Sequence, residues 1–397
     1  SSSAQLIRSL KPDSFAHWVP IQPPQRSFPM QKMVRTTALL FAGLALSFLA
    51  GCSSSSGTNT TAADQQQALV ELGFKLMFDE DLSRPAGVSC GMCHEPQCGW
   101  GDDRPQGKGV QDHTIDTMTG TIPHDGNLAV DGNRFKTILT GRNTPTVYNA
   151  HLFPSMFWDG RAGDLAHQAN FPVGGFNEMN ADWDTHVIPV LEADADYPAM
   201  FTAAFGDSTI TQLRTVNAIG AYEETISVFD TPYDKYVAGD TSAMTAGQIA
   251  GMDLFFGAAG CAECHPAPML TDLSFHNLGV PEAGTFALNG DTDLGRGAGD
   301  DWTPQPGGPA TSNPDPDQDY KFKTPQLRMV KVTGPYFHNG TFTDLREAIE
   351  FQVTGGGPDL STNATKAPEI VDLGLTPGQI DDLVDFVQNG LMGTEIR

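Results

Sequence analysis

The chain has 397 residues, with 48 Asp and Glu against 23 Lys and Arg, so its formal charge is −25. This acidic balance argues against nucleic-acid binding, because a protein that neutralises phosphates needs a basic face. The hydrophobic share of 39% indicates a globular chain rather than a disordered one. Six cysteines are too few for a disulfide scaffold of this length, so the cysteines need another explanation.

The start of the chain has the pattern of an export signal. The mostly apolar stretch 38–50 is too short to span a bilayer, and it follows Lys32 and Arg35. Its last two residues and the two that follow read LAGC (49–52), which is similar to the cleavage site of bacterial lipoproteins. A short buried helix is the alternative. We expect Cys52 to become the lipidated first residue of an exported protein.

These signals divide the N-terminal part into three segments. Residues 1–29 precede two candidate start methionines, and we expect them to be an upstream, untranslated segment. We expect 30–51 to be a lipoprotein signal peptide and 52–63 to be a flexible tether, because the latter is rich in Ser, Thr and Gly. The expected location is the periplasmic or surface side of the outer membrane, with the lipid anchor in the membrane.

Two amphipathic segments each lead into the same motif. The apolar positions of 65–78 and of 245–256 follow helical spacing. Each is followed by Cys-x-x-Cys-His, the attachment motif of c-type haem, in which two thiols bind the porphyrin and the histidine ligates iron. A zinc site or a redox Cys pair would not explain both histidines. We therefore predict two covalent haems, held by Cys90, Cys93 and His94, and by Cys261, Cys264 and His265.

The remaining elements complete a duplicated layout. Residues 211–229 predict a further helix, and Thr376 is a suitable N-cap for a last helix with an apolar stripe. The stretch 281–320 is rich in Gly, Pro and Asp and predicts a long loop. The segment 231–243 lacks helical periodicity, which places a domain boundary near it. No strong run of alternating strands is evident.

The layout predicts a mainly α fold of two cytochrome c-like haem domains with long loops. The first, N-terminal domain is expected over 64–235 and the second, C-terminal domain over 236–397, with one haem in each.

Motifs outside the haem sites make the chain resemble the bacterial di-haem cytochrome c peroxidase and MauG family, over about residues 64–392. They are RNTPT at 142–146, FWDGRA at 157–162, FKTPQLR at 322–328 and TGPYFHNG at 333–340. These motifs are more specific than haem attachment, which also marks simple electron carriers. The resemblance implies an oxidoreductase that uses H2O2 at the first haem and stores or relays electrons at the second.

The resemblance also assigns roles to three residues of the first half. Glu178 matches a distal carboxylate, which can take a proton from bound peroxide and return it to the leaving oxygen. Gln168 matches an amide that hydrogen-bonds the bound oxygen, and Trp158 matches a tryptophan that relays an electron between the haems. The three follow at intervals of ten, as in the family. Taken alone, Glu178 would be a surface carboxylate and Trp158 a core residue.

A calcium site between the haems is a further implication of the resemblance. Asn143 and the backbone carbonyls of Thr333 and Pro335 match its ligands. Amide and carbonyl oxygens suit this hard cation. The alternative is that all three are ordinary loop residues.

The first haem departs from the family pattern at its distal side. The removable histidine of peroxidases that need pre-reduction falls here at Phe135, which cannot ligate iron. His113 and His124 lie upstream and are the alternatives. We predict that the first haem is five-coordinate and open to peroxide.

The second haem departs at its axial ligand. Fourteen residues after His338, where the peroxidases have Met and MauG-type proteins have Tyr, this chain has Gln352. Loss of a Met ligand lowers the reduction potential, since Met/His ligation raises it. His276, Met269 and Met329 are alternative ligands. Both departures favour MauG-type chemistry.

Three functional hypotheses follow. The first is a peroxidase whose electrons come from a small donor protein, a cytochrome c or a cupredoxin. The second is a MauG-like enzyme that oxidises residues such as Trp on a partner protein. The third is a non-enzymatic di-haem electron-transfer cytochrome, and the pair Gln168 and Glu178 argues against it, because a pure carrier needs no acid–base group.

Overall fold

Helices dominate the part of the chain that the computed structural model describes, which comprises residues 61–109, 140–175, 177–283, 292–298, 314–358 and 365–394. The α-helices of these residues are α1 (Ala62–Met77), α2 (Cys90–Cys93), α3 (Leu165–Gly174), α4 (Ile188–Ala193), α5 (Tyr197–Phe205), α6 (Gln212–Glu223), α7 (Pro232–Val237), α8 (Ala246–Phe255), α9 (Leu345–Val353) and α10 (Pro377–Asp385). Two short antiparallel strands, β1 (Phe275–His276) and β2 (Phe322–Lys323), pair Phe275 with Lys323. The predicted mainly α class is confirmed.

Threonine capping boxes explain where four of these helices begin. Thr61, Thr231, Thr245 and Thr376 precede α1, α7, α8 and α10. Each hydroxyl accepts the backbone N–H three residues later, and the Asp or Gln at that position accepts the threonine N–H in return. This capping box satisfies two donors that a helix end otherwise leaves unpaired. The helix predicted from Thr376 begins there.

One predicted helix bound is wrong. The helix predicted over 211–229 ends at Glu223, because the segment after it pairs with Asn149 instead. The Asn149 N–H donates to the carbonyl of Ile226, and its Oδ1 accepts from the Val228 N–H, both at 2.9 Å. The segment 231–243 contains helix α7, whose six residues are too few to show apolar periodicity. The domain bounds themselves stay a prediction.

In each half, two core helices cross in close contact at a glycine. Helix α1 packs on α6 at Gly73, where an added Cβ would lie 1.9 Å from the carbonyl oxygen of Ala218. Helix α8 packs on α10 at Gly251, where an added Cβ would lie 1.9 Å from the carbonyl oxygen of Asp382. Only glycine permits so close an approach. The two halves therefore share one way of seating the helix that leads into the haem motif.

Each crossing is surrounded by its own hydrophobic cluster. The first includes the fully buried side chains Leu72, Leu76 and Phe201, and the second includes Phe255 and Phe386. None of the described helices combines the length and the apolar character that a membrane-spanning segment needs.

Candidate functional site

The histidines of the two Cys-x-x-Cys-His motifs are oriented in the same way. His94 follows α2, and its Nδ1 lies 3.1 Å from the carbonyl oxygen of Trp100. Nδ1 of His265 lies 2.8 Å from the carbonyl oxygen of Leu270. When Nδ1–H donates to a carbonyl, the tautomer is fixed and Nε2 becomes the nitrogen that can bind a metal. Burial lowers the pKa of both rings, which favours the neutral form that ligates.

A first cleft opens beside His94. Its volume of about 390 Å³ lies in the range typical of ligand and cofactor sites. Both motif cysteines line it, so two thiols and a correctly oriented histidine meet at one cavity, and the residues present fit a covalent haem. The walls also carry the three residues assigned by resemblance, which are Trp158, Gln168 and Glu178. The structure therefore brings these predicted residues together, while the role of each stays a prediction.

Helix α3 and the turn after it position Gln168 and Glu178. Asp164 caps α3 by accepting the N–H of His167 at 2.7 Å, and Gln168 follows in the first turn. The Glu178 N–H then donates to the carbonyl of Gly175 at 2.9 Å. A Cβ at Gly175 would lie 2.3 Å from Oε2 of Glu178, so the glycine makes room for the carboxyl group.

The environment of Glu178 suits an acid–base group. Burial raises its pKa above the ordinary value, and the positive charge of Arg161 opposes this rise. Arg161 also lines the first cleft. A carboxyl whose proton affinity is increased in this way can both accept and return a proton.

A second, smaller cleft of about 100 Å³ lies at the other haem motif. It is lined by Cys261, Cys264 and His265, so this motif also presents its thiols and histidine to one cavity. Gln352, on α9, lines the same cleft, and so does His276. The other two alternative ligands, Met269 and Met329, are not among the described residues that line it.

His338 is a further residue of the second cleft. Burial lowers its pKa to about 3, so the ring is neutral at physiological pH. It stacks on Phe322 with ring centroids 3.5 Å apart. In the sequence, His338 stands out only as part of the TGPYFHNG motif, and nothing there marks it as a cleft residue.

Trp158 belongs to the walls of both clefts. Its indole N–H donates to the carbonyl of Asn143 at 2.9 Å, and its own carbonyl accepts the N–H of Lys323 at 2.7 Å. The side chain is thus held from the first half of the chain and the backbone from the second. The role of Trp158 as a relay between the haems stays a prediction.

A buried ion network lies at the same junction. Arg142 donates to Asp293 through two nitrogens, at 2.6 and 2.7 Å, and to Asp159 at 2.6 Å. Arg161 donates to both oxygens of Asp159, at 2.9 and 2.8 Å. Burial opposes ionisation of Asp159, but the two guanidinium groups outweigh it and lower its pKa. Arg142 lines the first cleft and Asp293 the second, so the network joins them.

Sequence reasoning missed three ionisable residues of this region. Asp293 lies in the predicted loop 281–320, and nothing in the sequence distinguishes this buried Asp from the others of the loop. Lys323, which lines both clefts, stands in the FKTPQLR motif, and burial lowers its pKa to about 8. Glu223 lines the first cleft four residues after Ile219 on the buried face of α6, and burial raises its pKa to about 8. That helical spacing is the signal by which Glu223 could have been found.

The predicted calcium ligands lie in neighbouring segments. The Asn143 N–H donates to the carbonyl of His338 at 2.7 Å, so Asn143 runs alongside the segment that contains Thr333 and Pro335. Its Nδ2 donates to the carbonyl of Arg104 at 3.2 Å. Calcium binding stays a prediction.

A separate group of potential metal ligands has another explanation. The ligand atoms of Cys264, Asp272 and His276 lie within 4.8 Å of one another. Cys264 belongs to the haem motif, and Asp272 pairs with Nε2 of His276 at 2.7 Å. The predictions for Cys52, His113, His124 and Phe135 concern residues outside the described part of the chain.

Comparison with known proteins agrees with this geometry. The family model described as di-haem cytochrome c peroxidase matches residues 67–242. The methylamine utilization protein MauG of Methylorubrum extorquens is 34% identical over 288 residues, which cover 72% of this chain and 69% of that protein. The cytochrome c551 peroxidase of Nitrosomonas europaea is 30% identical over 292 residues, which cover 71% of this chain and 72% of that protein.

Solved structures give the same fold. A MauG-like protein associated with microbial copper homeostasis superposes with a TM-score of 0.61 at 25% identity, covering 82% of this chain and 90% of that one. The diheme peroxidase BthA of Burkholderia thailandensis superposes with a TM-score of 0.59 at 22% identity, covering 82% and 86%.

Proposed function

Because the chain belongs to the di-haem cytochrome c peroxidase and MauG family, we propose that it reduces H2O2 in the first cleft with electrons that enter at the second. Membership makes the chain a haem oxidoreductase with two c-type haems. Each haem, when bound, supplies the redox-active iron. The observation that carries the proposal is that Gln168 and Glu178 line the same cleft as His94.

The residues of the first cleft account for the proton transfers. Reduction of H2O2 to two molecules of water consumes two electrons and two protons. The Glu178 carboxylate accepts a proton from one peroxide oxygen and returns it to the oxygen that leaves. The Gln168 amide donates a hydrogen bond to the bound oxygen, and the positive charge of Arg161 stabilises negative charge that develops during cleavage.

Trp158 accounts for the electron transfer between the clefts. It is the proposed relay because it lines both cavities and is held at its indole nitrogen and at its backbone. Gln352 is the proposed axial ligand of the second haem, since it lines that cleft. The electrons come from a small donor protein, a cytochrome c or a cupredoxin.

A MauG-like activity is the second candidate function. Two relatives named MauG are 32% and 34% identical over 70% and 72% of this chain, and Gln352 stands where the peroxidases have a Met ligand. In this case the two oxidising equivalents leave through the second cleft to residues such as Trp on a partner protein. The purely electron-transferring hypothesis is not favoured, because several relatives are named peroxidases.

The test is the optical and EPR response of the as-isolated diferric protein to stoichiometric H2O2, without prior reduction. We expect a rapid response that returns to the diferric state when a reduced cytochrome c or cupredoxin is added. The variant Glu178→Gln should lose most of the rate, whereas the exposed control Glu192→Gln on α4 should not. A response that ends in oxidised Trp on a co-purified partner would favour the second candidate. No response with any donor would contradict both.

We also propose that Ca²⁺ binds between the haems through the amide oxygen of Asn143 and the carbonyl oxygens of Thr333 and Pro335. The support is that Nδ2 of Asn143 is engaged with Arg104, so Oδ1 is the side-chain atom that can face a cation. Metal analysis of protein dialysed against EGTA tests this site. We expect one Ca²⁺ per chain before chelation, and a much smaller content in Asn143→Ala.

Export as a lipoprotein is proposed from the sequence alone. Lipidation of Cys52 should place the protein in the membrane fraction of the cell envelope. The variant Cys52→Ser should move it to the soluble periplasmic fraction with both haems attached. A wild-type protein without a diacylglyceryl adduct in mass spectra would contradict this proposal.

A further inference from the structure

An aromatic cluster connects the first haem motif with the protein surface. The carbonyl of Trp100 holds Nδ1 of His94, and the indole of Trp100 is buried. Its ring centroid lies 6.0 Å from that of Tyr222 and 6.3 Å from that of Phe78. Phe74, which is 53% exposed, lies 5.4 Å from Tyr222 and 5.2 Å from Phe78. We call these four rings the first aromatic cluster.

Two members of the first aromatic cluster can be oxidised. Tryptophan and tyrosine lose an electron far more readily than phenylalanine, so the pair Trp100 and Tyr222 is its redox-active part. Tyr222 is half-buried on α6, and its hydroxyl makes no hydrogen bond to another described residue. Burial raises its pKa to about 12, so the phenol is protonated at neutral pH and must release its proton when it gives up an electron.

The equivalent cluster of the second half lacks this property. Phe255 lies 6.4 Å from the ring of His265 and packs against Phe386 and Phe256. Tyr233 lies behind these phenylalanines, stacked on Phe256 at 5.7 Å, and is 6% exposed. The first half thus places an oxidisable pair between its haem motif and the surface, where the second half places phenylalanines.

We propose that Trp100 and Tyr222 form a one-electron route from the first haem to the surface, and that Tyr222 is a second oxidation site for small aromatic reductants of the hydroquinone class. The inference rests on the proposed function, which supplies the oxidant, because the reaction with peroxide leaves the first haem site oxidised and able to accept an electron. Phe74 offers an exposed ring beside Tyr222 on which a small aromatic molecule can stack.

The electrons and protons of this route balance. Trp100 gives one electron to the oxidised centre of the first haem site, which is thereby reduced by one electron. Tyr222 gives one electron to the oxidised Trp100 and releases its phenolic proton to water, so Tyr222 becomes a neutral phenoxyl radical. A hydroquinone then transfers one electron and one proton to the phenoxyl oxygen. Tyr222 is restored, and the hydroquinone leaves as a semiquinone radical.

The experiment treats the haem-loaded, full chain with stoichiometric H2O2 in the presence of a nitroso spin trap. Freeze-quench EPR detects the radical, and peptide mass spectrometry locates the adduct. Peroxide loss is followed separately with an electrode. The variants are Tyr222→Phe and Trp100→Phe, which keep the ring packing, and Tyr233→Phe as the matched control in the second half. The haem absorbance of each variant reports that it has folded and matured.

We expect a tyrosyl signal and an adduct at Tyr222 in the wild type and in Tyr233→Phe. Both should be absent from Tyr222→Phe and strongly reduced in Trp100→Phe, and hydroquinone should abolish the wild-type signal. Peroxide loss with adducts at other residues, unchanged in Tyr222→Phe, would overturn the route and leave the proposed function intact. A wild-type protein that does not consume peroxide would overturn the proposed function and the route with it.

Discussion

Replacement of Arg142 by Met tests the buried ion network between the clefts. In the wild type, Asp293 is 1% exposed and receives two hydrogen bonds from Arg142. Asp159 keeps Arg161 as a partner in the variant, but Asp293 loses its bidentate cation. Removing one partner of a buried ion pair costs about 3–5 kcal/mol, because a charge is left uncompensated. We expect Arg142→Met to lower the free energy of unfolding by that amount.

Guanidinium unfolding of the haem-loaded protein, followed by far-UV circular dichroism, measures this loss. The double variant Arg142→Met/Asp293→Asn removes the stranded charge and should regain most of the stability. A cost below about 1 kcal/mol, or no recovery in the double variant, would refute the charge argument.

Three further predictions concern the site and the core. Glu178→Gln should slow the reaction with peroxide by about 10²–10⁴-fold in stopped-flow absorbance. The wild-type rate should rise with pH through the raised pKa of Glu178, since the carboxylate form accepts the proton, and the variant should lose that rise. Trp158→Phe should slow electron transfer between the haems in flash photolysis while both spectra persist. Gly251→Ala should destabilise by about 1–3 kcal/mol in denaturant unfolding. The control Gly378→Ala on α10, whose Cβ meets nothing within 4 Å, should not destabilise.

The parts of the fold that could be predicted from sequence are those that local chemistry determines. The capping box at Thr376 places the start of α10 within the last segment of the chain. The haem motifs specify their own thiols and histidines, because attachment needs those residues at that spacing. Gln168 and Glu178 came from a family pattern, and the structure adds that both line one cleft with His94.

The parts that could not be predicted depend on contacts distant in sequence. Arg142 meets Asp293 across 151 positions, and nothing local to a loop rich in Gly, Pro and Asp marks one of its acids as buried. The early end of α6 results from pairing with Asn149, which helical periodicity does not register. The carbonyl partners of His94 and His265 are backbone groups, so no side-chain pattern identifies them.

The shared wall at Trp158 has a consequence for how the protein matures. Trp158 lines both cavities, and its backbone carbonyl accepts the N–H of Lys323, which lies much later in the sequence. Because the chain is synthesised from its N-terminus, the first haem motif emerges long before its cavity has all of its walls. Haem attachment at Cys90 and Cys93 must therefore tolerate an incomplete cavity, or wait until the second half has been made. The two halves depend on each other to complete their cavities.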